Sequence, residues 1–366
     1  QSRGQAVRTF GSSSLCHSKV ANLLSAPVSP FAVAHRSLAS KGERAFSSSL
    51  CPAALCYTPV SIQSCGQILR FAMAPHRCCG LAPLIGVALA FLLAADMAAA
   101  GMFDEVEVLW GADKTYYFMD GDVEALAMSL DKNQGSTFRS RQMYLFARID
   151  VDIKLVEGDS AGTVSTIYTI SEGDWDKHDE VDFEFLGNST GEPYTLHTNI
   201  FAYGTGAREV QFRLWFDATA DYHTYTIIWN PRRIIIQVDG KTIRVFDNNE
   251  EHGCPFPSWQ QQRVYGSLWS AEDWATQGGR VKTDWSQSPF VSYYKNYNVT
   301  WCRPSPGVAW CGDEPADSTL FNLSQKDKDD LQWVRDNGYV IYDYCTDTTR
   351  YKDKPMPKEC TLPRKP

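Results

Sequence analysis

Three acidic side chains stand at alternate positions in His178-Asp179-Glu180-Val181-Asp182-Phe183-Glu184-Phe185-Leu186-Gly187. Read at a period of two, Glu180, Asp182 and Glu184 share one face of a strand, and Val181, Phe183 and Phe185 share the other. Acidic residues are depleted in strands and repel when lined up on one face. A solvated acidic strand would be the bland explanation, but two interposed phenylalanines place this one against a core. A rule broken this openly marks a working site. At a rise of about 3.3 Å per residue, the Glu180 and Glu184 Cα atoms lie roughly 13 Å apart. Leaning toward each other over the shorter Asp182, their carboxyl groups come within about 5–6 Å, close to the spacing of a retaining glycosidase. One carboxylate would attack the sugar C1. The other would protonate the departing oxygen and then act as base for whatever arrives next. Asp182 would hydrogen-bond a partner and hold the two glutamate pKa values apart.

The elements around this strand are also strands. From Phe103 to Gly253, short alternating runs are separated by turn residues. Phe146–Leu155 alternates cleanly, Gly158 to Gly162 makes a turn, and Thr163–Ile170 leads toward the acidic strand. Tyr222–Trp229 alternates, and Ile234–Val238 runs into Asp239-Gly240, a hairpin signal, before Lys241–Phe246. Many short strands with little helix mean an all-β sandwich or barrel. A second signal is aromatic. Trp269, Trp274 and Trp285 crowd together, with Trp259 and Tyr265 just upstream. Singly each is expected in a core. Alternating with small, acidic and polar residues, they read as stacking surfaces for sugar rings. The tail differs in kind. Ser324 and Asp327 form a helix start, Leu331 and Val334 recur at helical spacing, Gly338 is a stop, and Tyr339–Tyr344 returns to strand.

Residues 1–72 are rich in Ser, Ala and Arg, with Glu43 their one acidic residue, and the first methionine is Met73. From Met73 come His76 and Arg77, an apolar run from Leu81 to Ala95, and Ala98-Ala99-Ala100. That pattern reads as a secretory signal over 73–100, too short and too poorly flanked for a membrane anchor, with 1–72 as translated upstream sequence. The formal net charge is −8. Only Glu43 and Asp96 are acidic before Gly101, so the remainder is more acidic still. Such a surface argues against nucleic acid and anionic membranes and leaves neutral polymers open. Of 11 cysteines, Cys254, Cys302, Cys311, Cys345 and Cys360 follow residue 80. The last four allow three pairings, and local closure favours Cys302–Cys311 with Cys345–Cys360, leaving Cys254 a free, buried thiol. A zinc site fits poorly, with no C-x-x-C spacing and no histidine beyond His252. Sequons at Asn188, Asn298 and Asn322 are glycan candidates if they lie on surface loops.

His178–Gly187 resembles the H-D-E-[IV]-D-F-E-F-L-G signature of plant xyloglucan endotransglucosylase/hydrolases, in glycoside hydrolase family 16. The resemblance covers nearly all of 103–360. It includes Leu196-His197-Thr198-Asn199, the tryptophan stretch Ser267–Gly279, Lys282-Thr283-Asp284-Trp285-Ser286-Gln287, Tyr344-Cys345-Thr346-Asp347, Arg350 and Glu359-Cys360. It implies a curved β-jelly roll over 101–300 with an open substrate cleft on its concave face. A short C-terminal α/β extension over 301–366, stapled by disulfides, would lengthen the acceptor side. By motif position Glu180 resembles the nucleophile, Glu184 the acid/base and Asp182 the helper. Substrate-binding positions fall on Glu184, His197, Thr198, Asn199, Arg208, Glu209, Trp269, Trp274, Ala275, Gly279 and Arg350, and the family's usual glycan on Asn188. Departures are local. The approach Ser171–Lys177 is a residue or two long and carries an extra tryptophan and extra acids, Ser270 and Glu272 replace Asn and Asp, and Ala207 stands where Asn or Asp is usual.

The expectation is a secreted, monomeric, cell-wall enzyme that cuts the β-1,4-glucan backbone of xyloglucan with retention and passes it to a xyloglucan acceptor. The mechanism requires neither cofactor nor metal. A hydrolase of xyloglucan, mixed-linkage or β-1,3-glucan is the first rival, and a non-catalytic glucan-binding lectin the second.

Overall fold

Alternation at period two carries through to the backbone. The computed structural model describes residues 101–301 and 322–363. The expectations for 1–72, for the signal at 73–100 and for a Cys302–Cys311 bridge lie outside those residues. Fifteen strands follow in order: β1 (Val106–Trp110), β2 (Thr115–Asp120), β3 (Val123–Leu130), β4 (Ser136–Ser140), β5 (Ala147–Lys154), β6 (Thr163–Ser171), β7 (Glu180–Leu186), β8 (Thr195–Phe201), β9 (Val210–Arg213), β10 (His223–Trp229), β11 (Arg233–Val238), β12 (Lys241–Asp247), β13 (Gln262–Ser270), β14 (Phe290–Trp301) and β15 (Val340–Asp343). Helices α1 (Met102–Glu105) and α2 (Gln325–Asp336) flank them. No helix among the described residues is long and apolar enough to cross a membrane.

The strands form two antiparallel sheets, one ordered β1-β4-β13-β6-β7-β8-β9-β15 and the other β12-β11-β10-β5-β14-β3-β2. Each sheet mixes strands distant in sequence, as a jelly-roll sandwich does. Inward residues of the two sheets meet between them. Phe183 and Phe185 of β7 pack edge-on against Tyr225 of β10, with centroids 5.6 and 4.5 Å apart, and Phe138 meets Tyr294 at 5.4 Å. Burying each such ring stabilises the fold by about 1.5–3 kcal/mol. The Asp239-Gly240 hairpin forms as read, both residues taking the positive φ of a type I′ turn (49° and 67°).

The C-terminal extension is held by a strand, by a helix and by side-chain pairs that include Arg350 with Glu209. β15 pairs with β9 and so becomes the edge of the larger sheet. Helix α2 starts on the expected capping box, in which Ser324 Oγ accepts from Asp327 N–H and Asp327 Oδ2 accepts from Ser324 N–H. It then docks on β12, where Thr242 donates through Oγ1 to Asp327 (2.6 Å) and through N–H to Asp330 (3.1 Å). Arg208 likewise pairs with Glu359. Cys345 and Cys360 are bonded. Both lie within the extension, so this bridge closes a local loop and does not staple the extension to the sandwich as expected. Cys254 is free and buried. Of the sequons, Asn188 sits in the loop after β7 with its Nδ2 donating to Pro193 O, and Asn322 precedes α2. Asn298 lies on an exposed position of strand β14, so the surface-loop condition is not met there.

Candidate active site

β7 lies inside the larger sheet, flanked by β6 and β8. Val181, Phe183 and Phe185 enter the core at 0 % exposure, which turns Glu180, Asp182 and Glu184 to the outer face of that sheet. Directly opposed residues on neighbouring strands share a face, so register assembles rows across the sheet. One row runs Glu107, Arg139, Tyr265, Tyr168, Asp182, Asn199. The next runs Thr137, Ser267, Thr166, Glu184, His197, Gln211, Tyr342, and so reaches the C-terminal extension. Hydrogen bonds knit the second row, with Thr166 and Ser267 hydroxyls 2.6 Å apart and Gln211 Nε2 3.0 Å from His197 Nδ1.

Within this face, Glu180 and Asp182 share a side-chain hydrogen bond. His178 Nε2 lies 2.9 Å from Glu180 Oε2, and His197 Nε2 lies 3.7 Å from Glu184 Oε2. Burial dominates the electrostatics. It raises Glu180 to about 7, with the Asp182 hydrogen bond pulling back and the Glu184 charge adding to the rise. Burial, then the charge and hydrogen bond of Glu180, hold Asp182 well above the carboxylate range. Burial, then Asp182 and Glu209, push Glu184 up to about 8, although 20 % of its side chain meets solvent. The hydrogen bond between them favours the ionised form of Glu180 and the protonated form of Asp182. That leaves one carboxylate able to attack and, at the other end of the strand, one carboxylic acid able to donate.

Other expected residues divide. Trp269 and Trp274 (centroids 6.1 Å apart) pack with Val164, Leu186, Ala271 and Ala275 on the acid face, beyond Glu184. Glu209 pairs with Arg350, which also donates to Tyr342 Oη. Asn199 faces the acids, and its Oδ1 accepts from the N–H of Ile200 and Arg208. Gly279 keeps a tight loop, since a Cβ there would meet Asp273 O at 2.0 Å. Thr198 and Arg208 are corrections. Alternation turns Thr198 inward, where its Oγ1 donates to Val210 O and accepts from Arg244. Arg208 is 3 % exposed, its guanidinium committed to Glu359, Ile200 O and Thr205 O. Neither side chain reaches the acid face. In the tryptophan group, Trp285 instead packs on Phe290 and donates to Glu272, while Trp259 stands 72 % exposed.

Residues not anticipated at the site are His178, Tyr168 and Gln211, while Tyr265 was expected with the tryptophan group. Tyr168 and Tyr265 stack at 5.3 Å beside Asp182. Only cross-strand register could have found Tyr168 and Gln211. His178 was visible in the motif, but its reach to Glu180 was not. A cavity of about 710 Å³ lined by Pro231, Arg233, His252 and Leu362 shares no residue with this face.

Comparison with known proteins agrees with this geometry. Residues 102–287 match the model of glycosyl hydrolases family 16, and residues 309–360 match that of the xyloglucan endo-transglycosylase C-terminus. Xyloglucan endotransglucosylase protein 1 of Diospyros kaki is 48% identical over 272 residues, 74% of this chain and 92% of its own. Protein 7 of the same species is 50% identical over 263 residues, 70% and 96% of the two chains. Probable xyloglucan endotransglucosylase/hydrolase protein 16 of Arabidopsis thaliana is 47% identical over 279 residues, 74% and 94%. Among solved structures, a Bacillus licheniformis beta-glucanase aligns over 55% of this chain and 92% of its own at 22% identity with a TM-score of 0.43. With residues 102–287 matched by the one model, 309–360 by the other, and relatives covered almost end to end, the chain belongs to glycosyl hydrolases family 16, in its xyloglucan endotransglucosylase/hydrolase branch.

Proposed function

We propose that this chain cleaves the β-1,4-glucan backbone of xyloglucan with retention and transfers the glycosyl group to a xyloglucan acceptor, outside the cell, in plant-wall remodelling. The observation that carries it is the placement of Glu180, Asp182 and Glu184 on one strand face, where burial raises the proton affinity of all three. The names of the relatives supply the polymer.

The steps follow from the residues. Glu184, carrying its proton, gives it to the glycosidic oxygen while Glu180 attacks C1, and the reducing-end fragment departs. Asp182 donates to Glu180 and keeps its second oxygen oriented. Glu184, now a carboxylate, takes the proton of an incoming sugar hydroxyl, whose oxygen displaces Glu180 from C1 and restores the original configuration. Water could take that place. The balance is set by a few kcal/mol in barrier between acceptor and water. The polar row from Glu184 through His197 and Gln211 to Tyr342 supports acceptor binding on the side of the C-terminal extension.

Incubation with xyloglucan and a labelled xylogluco-oligosaccharide tests this reading. Label entering polymer is the expected result. Loss of viscosity without label incorporation makes it a hydrolase, and neither change removes the enzyme reading.

A further inference from the structure

Three large aromatic side chains stand in solvent on loops at the Glu180 end of β7, and the steps above use none of them. Trp175 is 38 % exposed, Tyr203 45 % and Trp259 72 %. Their loops are tied together. Gln260 Nε2 donates to Lys177 O (2.8 Å), Gly204 N–H to His178 O (2.7 Å) and Tyr203 N–H to Asp179 Oδ1 (2.8 Å). The Tyr203 loop lies so close to the Trp175 loop that a Cβ on Gly204 would meet Asp176 O at 2.1 Å.

Two of these positions look costly for stability alone. Tyr203 holds φ at +51°, a left-handed conformation that a bulky side chain adopts only under constraint. Trp259 leaves most of an indole in water and lies next to Gln260, which makes the loop contact. Trp175 connects the group to the reacting centre. Its ring stacks on His178 with centroids 4.2 Å apart, and His178 Nε2 is the atom beside Glu180. Exposed apolar groups continuous with a cleft mark ligand contact.

Direction decides which part of a ligand they meet. Retaining carboxylates must flank the reacting sugar. Because Glu180 and Glu184 are spaced along β7, the main chain of a glucan lies across the strands, parallel to the rows of opposed residues. Groups beyond Glu180 along β7 therefore stand beside the main chain, where substituents project. We propose that Trp175, Tyr203 and Trp259 form a lateral aromatic platform that binds branch sugars of a substituted β-glucan through the apolar faces of their rings. This rests on the function proposed above and adds a determinant of selectivity for branched over bare chains.

The test is calorimetric binding of two oligosaccharides with the same β-1,4-glucan backbone, one xylosylated and one bare. Wild-type chain is compared with Trp259→Ala, Tyr203→Gly and the double variant, neither residue being part of the His178 stack. Thermal unfolding of each verifies folding. Affinity for the xylosylated ligand should fall about threefold to tenfold per aromatic removed, while affinity for the bare ligand stays within about twofold. Equal losses for both ligands, or no loss for either, overturns the platform. Failure of the underlying function is a different result, in which wild type binds the xylosylated ligand yet moves no label into polymer.

Discussion

His178 Nε2 stands 2.9 Å from Glu180 Oε2, while Nδ1 of the same ring faces Trp175 O. A carbonyl oxygen can only accept, so Nδ1 carries hydrogen. The contact on the other side of the ring sets Nε2 directly against the Glu180 carboxyl. The ring is clamped in place by Trp175 and Phe201, with centroids at 4.2 and 4.8 Å. His178 is thus a positioning residue for the attacking oxygen. His178→Ala should lower kcat by about 10–100-fold with little change in KM, and His178→Gln should recover part of the loss. Steady-state transfer kinetics read this directly, and an unchanged kcat would remove the role.

Roles of the two glutamates can be separated by a small nucleophile. Glu180→Ala and Glu184→Ala should each lose about 10³-fold or more in transfer. With added azide, Glu180→Ala should release the α-glycosyl azide, formed by one inversion in place of the missing carboxylate. Glu184→Ala should give the β-azide, formed by displacement of the covalent intermediate. Product anomers resolved by NMR would reverse the assignment if exchanged.

The alkaline limb of activity should report Glu184, whose proton is needed for departure of the leaving group and whose pKa is raised to about 8 by burial, Asp182 and Glu209. Glu209→Gln removes one of the negative charges and leaves Arg350 unpaired nearby. Both changes favour the Glu184 carboxylate. The alkaline limb of kcat/KM should therefore move to lower pH, by up to about one unit.

Replacing Glu184 should raise stability while it removes activity. Glu184 has a folded pKa above its unfolded value, so folding takes up a proton. Its stability contribution is complete below about pH 4.5, the unfolded value, and is lost as pH rises through about 8. Glu184→Gln, which cannot ionise, should raise stability by on the order of 3 kcal/mol near pH 9 and by little near pH 4. Denaturant melts at the two pH values test the sign, and equal gains at both would refute it.

Arg208 should behave as a fold residue. Its guanidinium donates to Glu359, whose side chain is 9 % exposed, and it lies 5.4 Å from the Phe246 ring centre. Arg208→Ala strands a buried carboxylate and should cost about 3–5 kcal/mol, with Arg208→Met/Glu359→Gln regaining much of it. A substrate ligand would instead raise KM and leave unfolding untouched.

What could be read beforehand was local. The acidic strand, the Asp239-Gly240 hairpin and the Ser324/Asp327 helix start each depend on neighbours in the chain, and each formed. The family motif groups His197, Thr198 and Asn199, yet a period of two allows only the outer pair to share a face. Arg208 was not legible, because its partner lies 151 residues away. The place of Tyr168 was hidden for the same reason: a strand reveals its own faces but not which residue of the next strand stands opposite.

β15 is the last strand of the larger sheet and covers β9 with residues from beyond position 339. A protease cut between β14 and α2, followed by loss of the tail, would bare the outer amides of β9. It would also strip Tyr342 and Arg350 from the end of the groove. Such a clipped molecule would carry a sticky rim able to recruit strands from other copies. Self-association and loss of acceptor use should therefore arrive together, from one severed bond.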